Sequence, residues 1–109
     1  MKEILIEIDR LAEKEMERAN KIHPMFHSDH EGWAVLQEEI EEAAESTQLV
    51  RMGSNRLWEV IRDNDEDASC KMAYQIKAYA GHAAFELTQV IAMCNKFIKS
   101  QEERKCQRK

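Results

Sequence analysis

The stretch WAVLQEEIEEAAESTQLV, Trp33 to Val50, decides how this chain is read. Trp33, Leu36, Ile40, Ala43, Ala44, Thr47 and Val50 recur every three or four residues. That spacing puts them on one stripe of an α-helix and does not fit the alternation of a half-buried strand. Upstream, Ser28 followed by Glu31 has the form of a capping box and predicts that the helix starts near Asp29. Downstream, Gly53 predicts its end.

The same spacing extends in both directions. Ile4, Ile8, Leu11 and Ile22 predict a first helix over about residues 2–22, stopped before Pro24 because the residue preceding a proline disfavours the α region. NRLWEVIRD, Asn55 to Asp63, predicts a short helix with Leu57, Trp58 and Ile61 as its apolar side, followed by the polar loop DNDEDAS, Asp63 to Ser69. From about Ala68 the stripe Ala73, Ile76, Ala80, Ala83, Ala84, Leu87, Ile91, Cys94 and Ile98 predicts a long final helix, with Gly81 as the one position able to bend or split it. The expected fold is all-α: a single domain over residues 1–109, built as a small bundle of about four helices with short connections.

Composition agrees with this class. One Pro and three Gly in 109 residues exclude a collagenous, low-complexity or turn-rich β chain, and strong helix formers dominate. Net charge is −5, yet six Lys or Arg fall between Lys96 and Lys109. The basic tail, about residues 99–109, is read as cations complementing the last turns of a helix rather than as a nucleic-acid surface. The opening MKEILIEIDRL carries acids inside its apolar stretch and does not read as a signal peptide, and nothing approaches the length of a membrane span. Cys70, Cys94 and Cys106, far apart and without a CxxC, fit reduced thiols of a cytoplasmic protein.

Five glutamates lie between Glu38 and Glu45, and a helical wheel at about 100° per residue divides them. Glu38, Glu41 and Glu45 fall opposite the apolar stripe, while Glu39 and Glu42 lie on its shoulder. Being i, i+3 neighbours, those two can share a cation. On the final helix Glu86 is the only acid between Asp67 and Glu102. It also falls on a shoulder, with His82 four residues before it and Gln89 three after. Two to four carboxylates suffice for Mg²⁺ when substrate phosphates complete its octahedral shell. Other metal patterns fail. DNDEDAS begins like a calcium loop but has Ala68 and Tyr74 where glycine and glutamate are needed, and no Glu-x-x-His occurs for a di-iron site. Trp33, Trp58 and Phe26 are available for base stacking, with core or subunit packing as the alternative.

The EExxE arrangement of Glu38, Glu39 and Glu42, with FHSDHEGWAV before it and Glu86 within FELTQVIAM some forty residues later, resembles the all-α nucleotide pyrophosphohydrolases. Over roughly residues 26–98 it looks most like the short MazG-like proteins of that superfamily. The resemblance implies a Mg²⁺-dependent hydrolase, with Mn²⁺ as an alternative ion, that converts a nucleoside triphosphate to pyrophosphate and a nucleoside monophosphate. Carried over by position, Glu39, Glu42, Glu86 and Gln89 would be metal ligands. Glu38 or Glu42 would act as base, and Trp33, Trp58 and His82 would lie toward the substrate. The family has Asp where this chain has Gln89, and an amide carbonyl brings no charge to a cation. That departure keeps a second reading open: a non-catalytic helical interaction protein with a degenerate metal site. Phe85, opposite the final helix's stripe, and Val90, Met93 and Phe97 on the Glu86 shoulder predict assembly as a homodimer or homotetramer.

Overall fold

A computed structural model describes residues 1–108, and it contains three α-helices: α1 (Lys2–Ile22), α2 (Asp29–Arg62) and α3 (Glu66–Gln107). Among the described residues there is no strand. The start of α2 follows the capping prediction: Ser28 is its N-cap and its hydroxyl accepts from the Glu31 amide at 3.1 Å. The turn into α3 is shorter than the polar stretch suggests. Asn64 takes the left-handed conformation, φ 54°, which asparagine tolerates better than most residues. Asp65 then caps α3 by accepting from the Ala68 amide at 3.0 Å. α3 continues to Gln107, so most of the basic tail is helical; Lys109 lies outside the described residues.

Gly53 behaves differently from expectation, and this reduces four helices to three. Gly53 does not end the helix; α2 runs through it and absorbs NRLWEVIRD. A Cβ at Gly53 would lie 2.8 Å from Ile76 Cγ1, so the missing side chain serves the close approach of α3. Gly81 does not split α3, and a Cβ there would meet nothing within 4 Å. Gly32 repeats the first pattern, its Cβ position lying 2.6 Å from the Phe97 ring.

α2 and α3 form a long antiparallel hairpin, with Gly32 beside Phe97 at one end and Gly53 beside Ile76 at the other. α1 runs parallel to α3, since Glu15 meets Gln89 while Phe26, just past its end, meets Ser100. The backbones of α1 and α2 do not meet. The bundle is therefore a single open layer with α3 in the middle, extended to 68 × 29 × 23 Å.

The core is correspondingly thin. Ala12 and Met16 of α1, Phe26 of the connector, and Ala92 and Met93 of α3 form it, with Val35, Leu36 and Phe97 packed against them. One stripe prediction is corrected: Met93 is covered rather than exposed, because α1 lies over it. Phe26 takes the core packing that was the alternative to base stacking. Conversely Leu11, Trp33, Ile40, Leu87 and Ile98 remain exposed although they stand on the predicted core stripes. Each stripe is wider than the one helix it meets in an open layer.

The connector is fixed by polar contacts to α3. The Phe26 amide donates to the buried Ser100 hydroxyl at 2.9 Å, and Arg104 donates to the Phe26 carbonyl at 2.8 Å and pairs with Asp29. Lys96 is buried, with its ammonium 4.8 Å from the centre of the Phe26 ring. Burial lowers its pKa, and the Glu31 carboxylate partly offsets this.

Candidate metal centre

Antiparallel packing of α2 on α3 brings the two shoulders together. Ligand atoms of Glu39, Glu42 and Glu86 all lie within 4.8 Å of one another, the one such group of three among the described residues. Glu39 and Glu86 are half-buried and Glu42 is exposed. Position on the helix explains this gradient. Glu39 lies closer to the α2–α3 seam than Glu42, which stands about 60° further round towards solvent. Glu38, Glu41 and Glu45 are exposed.

Three carboxylates at this separation repel one another. The Glu39 carboxyl is pushed above its ordinary value, first by burial and then by the charges of Glu42, Glu86 and Glu38. A divalent cation would remove the repulsive part of that shift. The donor set consists of hard carboxylate oxygens and keeps one side open to water or phosphate, which suits Mg²⁺ or Mn²⁺ better than a soft-ligand metal.

His82 stands one turn before Glu86, its Nε2 3.1 Å from Glu86 Oε1, and its ring faces Phe85 with centroids 6.5 Å apart. Gln89 is turned toward α1, where its amide donates to Glu15 Oε2 at 2.7 Å. Trp33 is exposed beside Leu36, Cys94 and Ile98, and Trp58 is exposed near the far end of α2. At about 1.5 Å per residue Trp58 lies about 24 Å along the axis from Glu42, so α2 does not bring it to the triad. Glu38 is solvent-facing and acts on Glu39 through its charge.

Glu15 is the neighbour that the sequence did not single out. Its carboxylate receives Arg18 at 2.8 Å as well as Gln89, and these hydrogen bonds, Arg18 first, hold its pKa below the ordinary range against partial burial. The one signal available was its spacing from Ala12 and Met16, which places it on the flank of the face that α1 buries. All three cysteines are free, and no described helix is long and apolar enough to cross a membrane. No family model, curated protein or solved structure matches this chain.

Proposed function

We propose that this chain is a Mg²⁺-dependent nucleoside triphosphate pyrophosphohydrolase of the MazG-like type. The observation that supports it is the meeting of Glu39, Glu42 and Glu86 from two antiparallel helices within 4.8 Å. Glu39, Glu42 and Glu86 would hold Mg²⁺ or Mn²⁺, which would supply charge neutralisation of the phosphates and a more acidic water. The chain's part is to hold the ligand oxygens in place: the α2–α3 seam fixes Glu39 and Glu86, and His82 restrains Glu86 from the solvent side. Glu42 or Glu38, both exposed, accepts the proton of the attacking water. The water oxygen bonds to the α-phosphorus as the bond to the bridging oxygen breaks. Pyrophosphate leaves with that bridging oxygen, and the nucleoside monophosphate remains. Assembly as a homodimer or homotetramer and a cytoplasmic location, compatible with three free thiols, go with this reading.

The test is pyrophosphate release from a panel of standard and modified nucleoside triphosphates with Mg²⁺ or Mn²⁺. Glu39→Gln is expected to abolish turnover and Glu45→Gln to leave it intact. No turnover of any nucleotide, together with no metal-induced stabilisation, would sink the proposal.

One observation favours the second reading, a non-catalytic interaction protein on the same fold. The Gln89 amide is committed to Glu15, so the position where the family carries Asp adds no charge beside Glu86. Metal binding without turnover would select this reading.

A further inference from the structure

We infer that the face of the layer formed by Trp33, Ile40 and Ala44 of α2 with Leu87, Val90 and Ile98 of α3 is the contact surface for a second copy of this chain. The inference rests on surface area and layering. It gives the assembly named above a face, and it stands whether or not the chain hydrolyses nucleotides.

A helix that is apolar along one stripe needs something to cover that stripe, and stable domains supply it as a second packed layer. This chain has only one layer, because α1 and α2 both lie against α3 and their backbones do not approach one another, side chains alone meeting in the thin core. The outcome is visible in what is buried: the largest completely covered side chain is that of Ser100. The accessible surface is 8260 Å² for a 12.8 kDa chain. A compact monomer of that mass exposes about 6,300 Å². The surplus is about 2,000 Å² per chain, and two chains burying it would form an interface of about 4,000 Å², within the range of obligate homodimers.

A continuous apolar part of this surface runs along one face of the α2–α3 pair. Trp33 is 62%, Ile40 42%, Leu87 49% and Ile98 54% exposed. Ile40, Ala43, Ala44, Leu87 and Val90 line one open trough between α2 and α3, and Trp33, Leu36, Cys94 and Ile98 line a second further along the same pair of helices. Neither trough includes Glu39, Glu42 or Glu86. On the α3 wheel, with Ala83 facing α2, Leu87 and Ile98 lie near +40° to +60° and Glu86 near −60°. Leu87 and Ile98 therefore lie on the other side of the α2–α3 seam from the acidic triad, with Val90, near −20°, at the seam itself. A second copy suits the strip because a twofold rotation lays one uncharged strip on its equal, and Arg51 is the one charge lining either trough besides Asp29.

Sedimentation equilibrium of the full chain at micromolar concentration, with thermal melts over a roughly hundredfold dilution series, tests this. A mass of twice 12.8 kDa, or an even multiple, with a melting temperature that falls by several degrees on dilution is expected. A folded monomer whose melting temperature does not change on dilution would overturn the proposal, whatever other protein it binds. Ile40→Glu and Leu87→Glu are expected to shift the assembly to monomer or unfolded chain, and Tyr74→Glu, at an exposed position outside the strip, to leave the mass unchanged. An undiminished assembly in both strip variants would also overturn it. Mn²⁺ binding measured on the same samples reports on the triad separately, so failure of one proposal is not mistaken for failure of the other.

Discussion

Neutralising Glu39 should have opposite effects with and without a metal ion, and that pair of signs is a sharp check on the site. In metal-free protein the Glu39 carboxyl titrates above its ordinary 4.5 because of burial and the neighbouring carboxylates. A group that binds protons more tightly in the folded state makes stability fall as pH rises, from about the unfolded value through the raised folded one. Above that window the folded state carries the full repulsion. For two unit charges at the 4.8 Å limit of the cluster this is about 1 kcal/mol in water-like surroundings, and it grows as burial lowers the effective dielectric. Glu39→Gln removes it, so the variant should melt a few degrees above the parent in EDTA at neutral pH, at about 4–8 °C per kcal/mol for a chain of this size. The gain should shrink as pH falls towards the ordinary value of 4.5 and vanish below it, where Glu39 is protonated in both states. With Mg²⁺ at about a hundred times its dissociation constant the parent gains about 2.7 kcal/mol by mass action, and the variant should gain little of it. Differential scanning calorimetry in EDTA and in Mg²⁺, at pH 4 and pH 7.5, reads all these quantities. If Glu39→Gln melts no higher than the parent in EDTA and Mg²⁺ shifts both equally, the carboxylate argument is wrong.

The glycines give a second comparison: Gly53→Ala should destabilise by about 1–3 kcal/mol in urea melts because its Cβ meets Ile76 at 2.8 Å, whereas Gly81→Ala, with open space around it, should stabilise by about 0.5–1 kcal/mol. Glu15→Gln leaves the Gln89 amide with a neutral acceptor and removes a carboxylate whose pKa is lowered in the folded state. The part of stability lost as pH falls through that lowered pKa should therefore shrink in acid titrations followed by circular dichroism, while hydrogen exchange speeds up in α1. Lys96→Met should be neutral or stabilising at neutral pH, since it removes the cost of burying an ammonium while keeping the packing on Phe26; strong destabilisation in the same urea melts would show that the contact with the ring outweighs that cost.

Local signals carried most of the fold. The capping residues Ser28 and Glu31 and the proline stop at Pro24 set the ends of α1 and α2, and helical spacing separated Glu39 and Glu42 from Glu38, Glu41 and Glu45. Gly53 misled because a glycine needed for close approach and a glycine that ends a helix look the same in one sequence; only Ile76 opposite it tells them apart. The partnership of Gln89 with Glu15 joins residues 74 positions apart, and no local pattern encodes it. The stripes showed which residues seek cover, but not that an open layer leaves Trp33, Ile40 and Leu87 without it.

The placement of α3 between the other two helices also orders the folding reaction. α2 and α3 are joined by the short turn around Asn64, so their pairing zips outward from neighbouring residues. α1 reaches α3 only through contacts such as Glu15–Gln89 and Phe26–Ser100, each closing a loop of 74 residues. That closure carries its entropic cost before any contact compensates for it, so the hairpin is expected to form first and α1 to dock afterwards. Until it docks, Ala92 and Met93 stand open along the middle of the hairpin. The nascent chain is therefore expected to pass through a two-helix stage in which the side of α3 that α1 later covers stands open, with the first helix, although made first, the last to find its place.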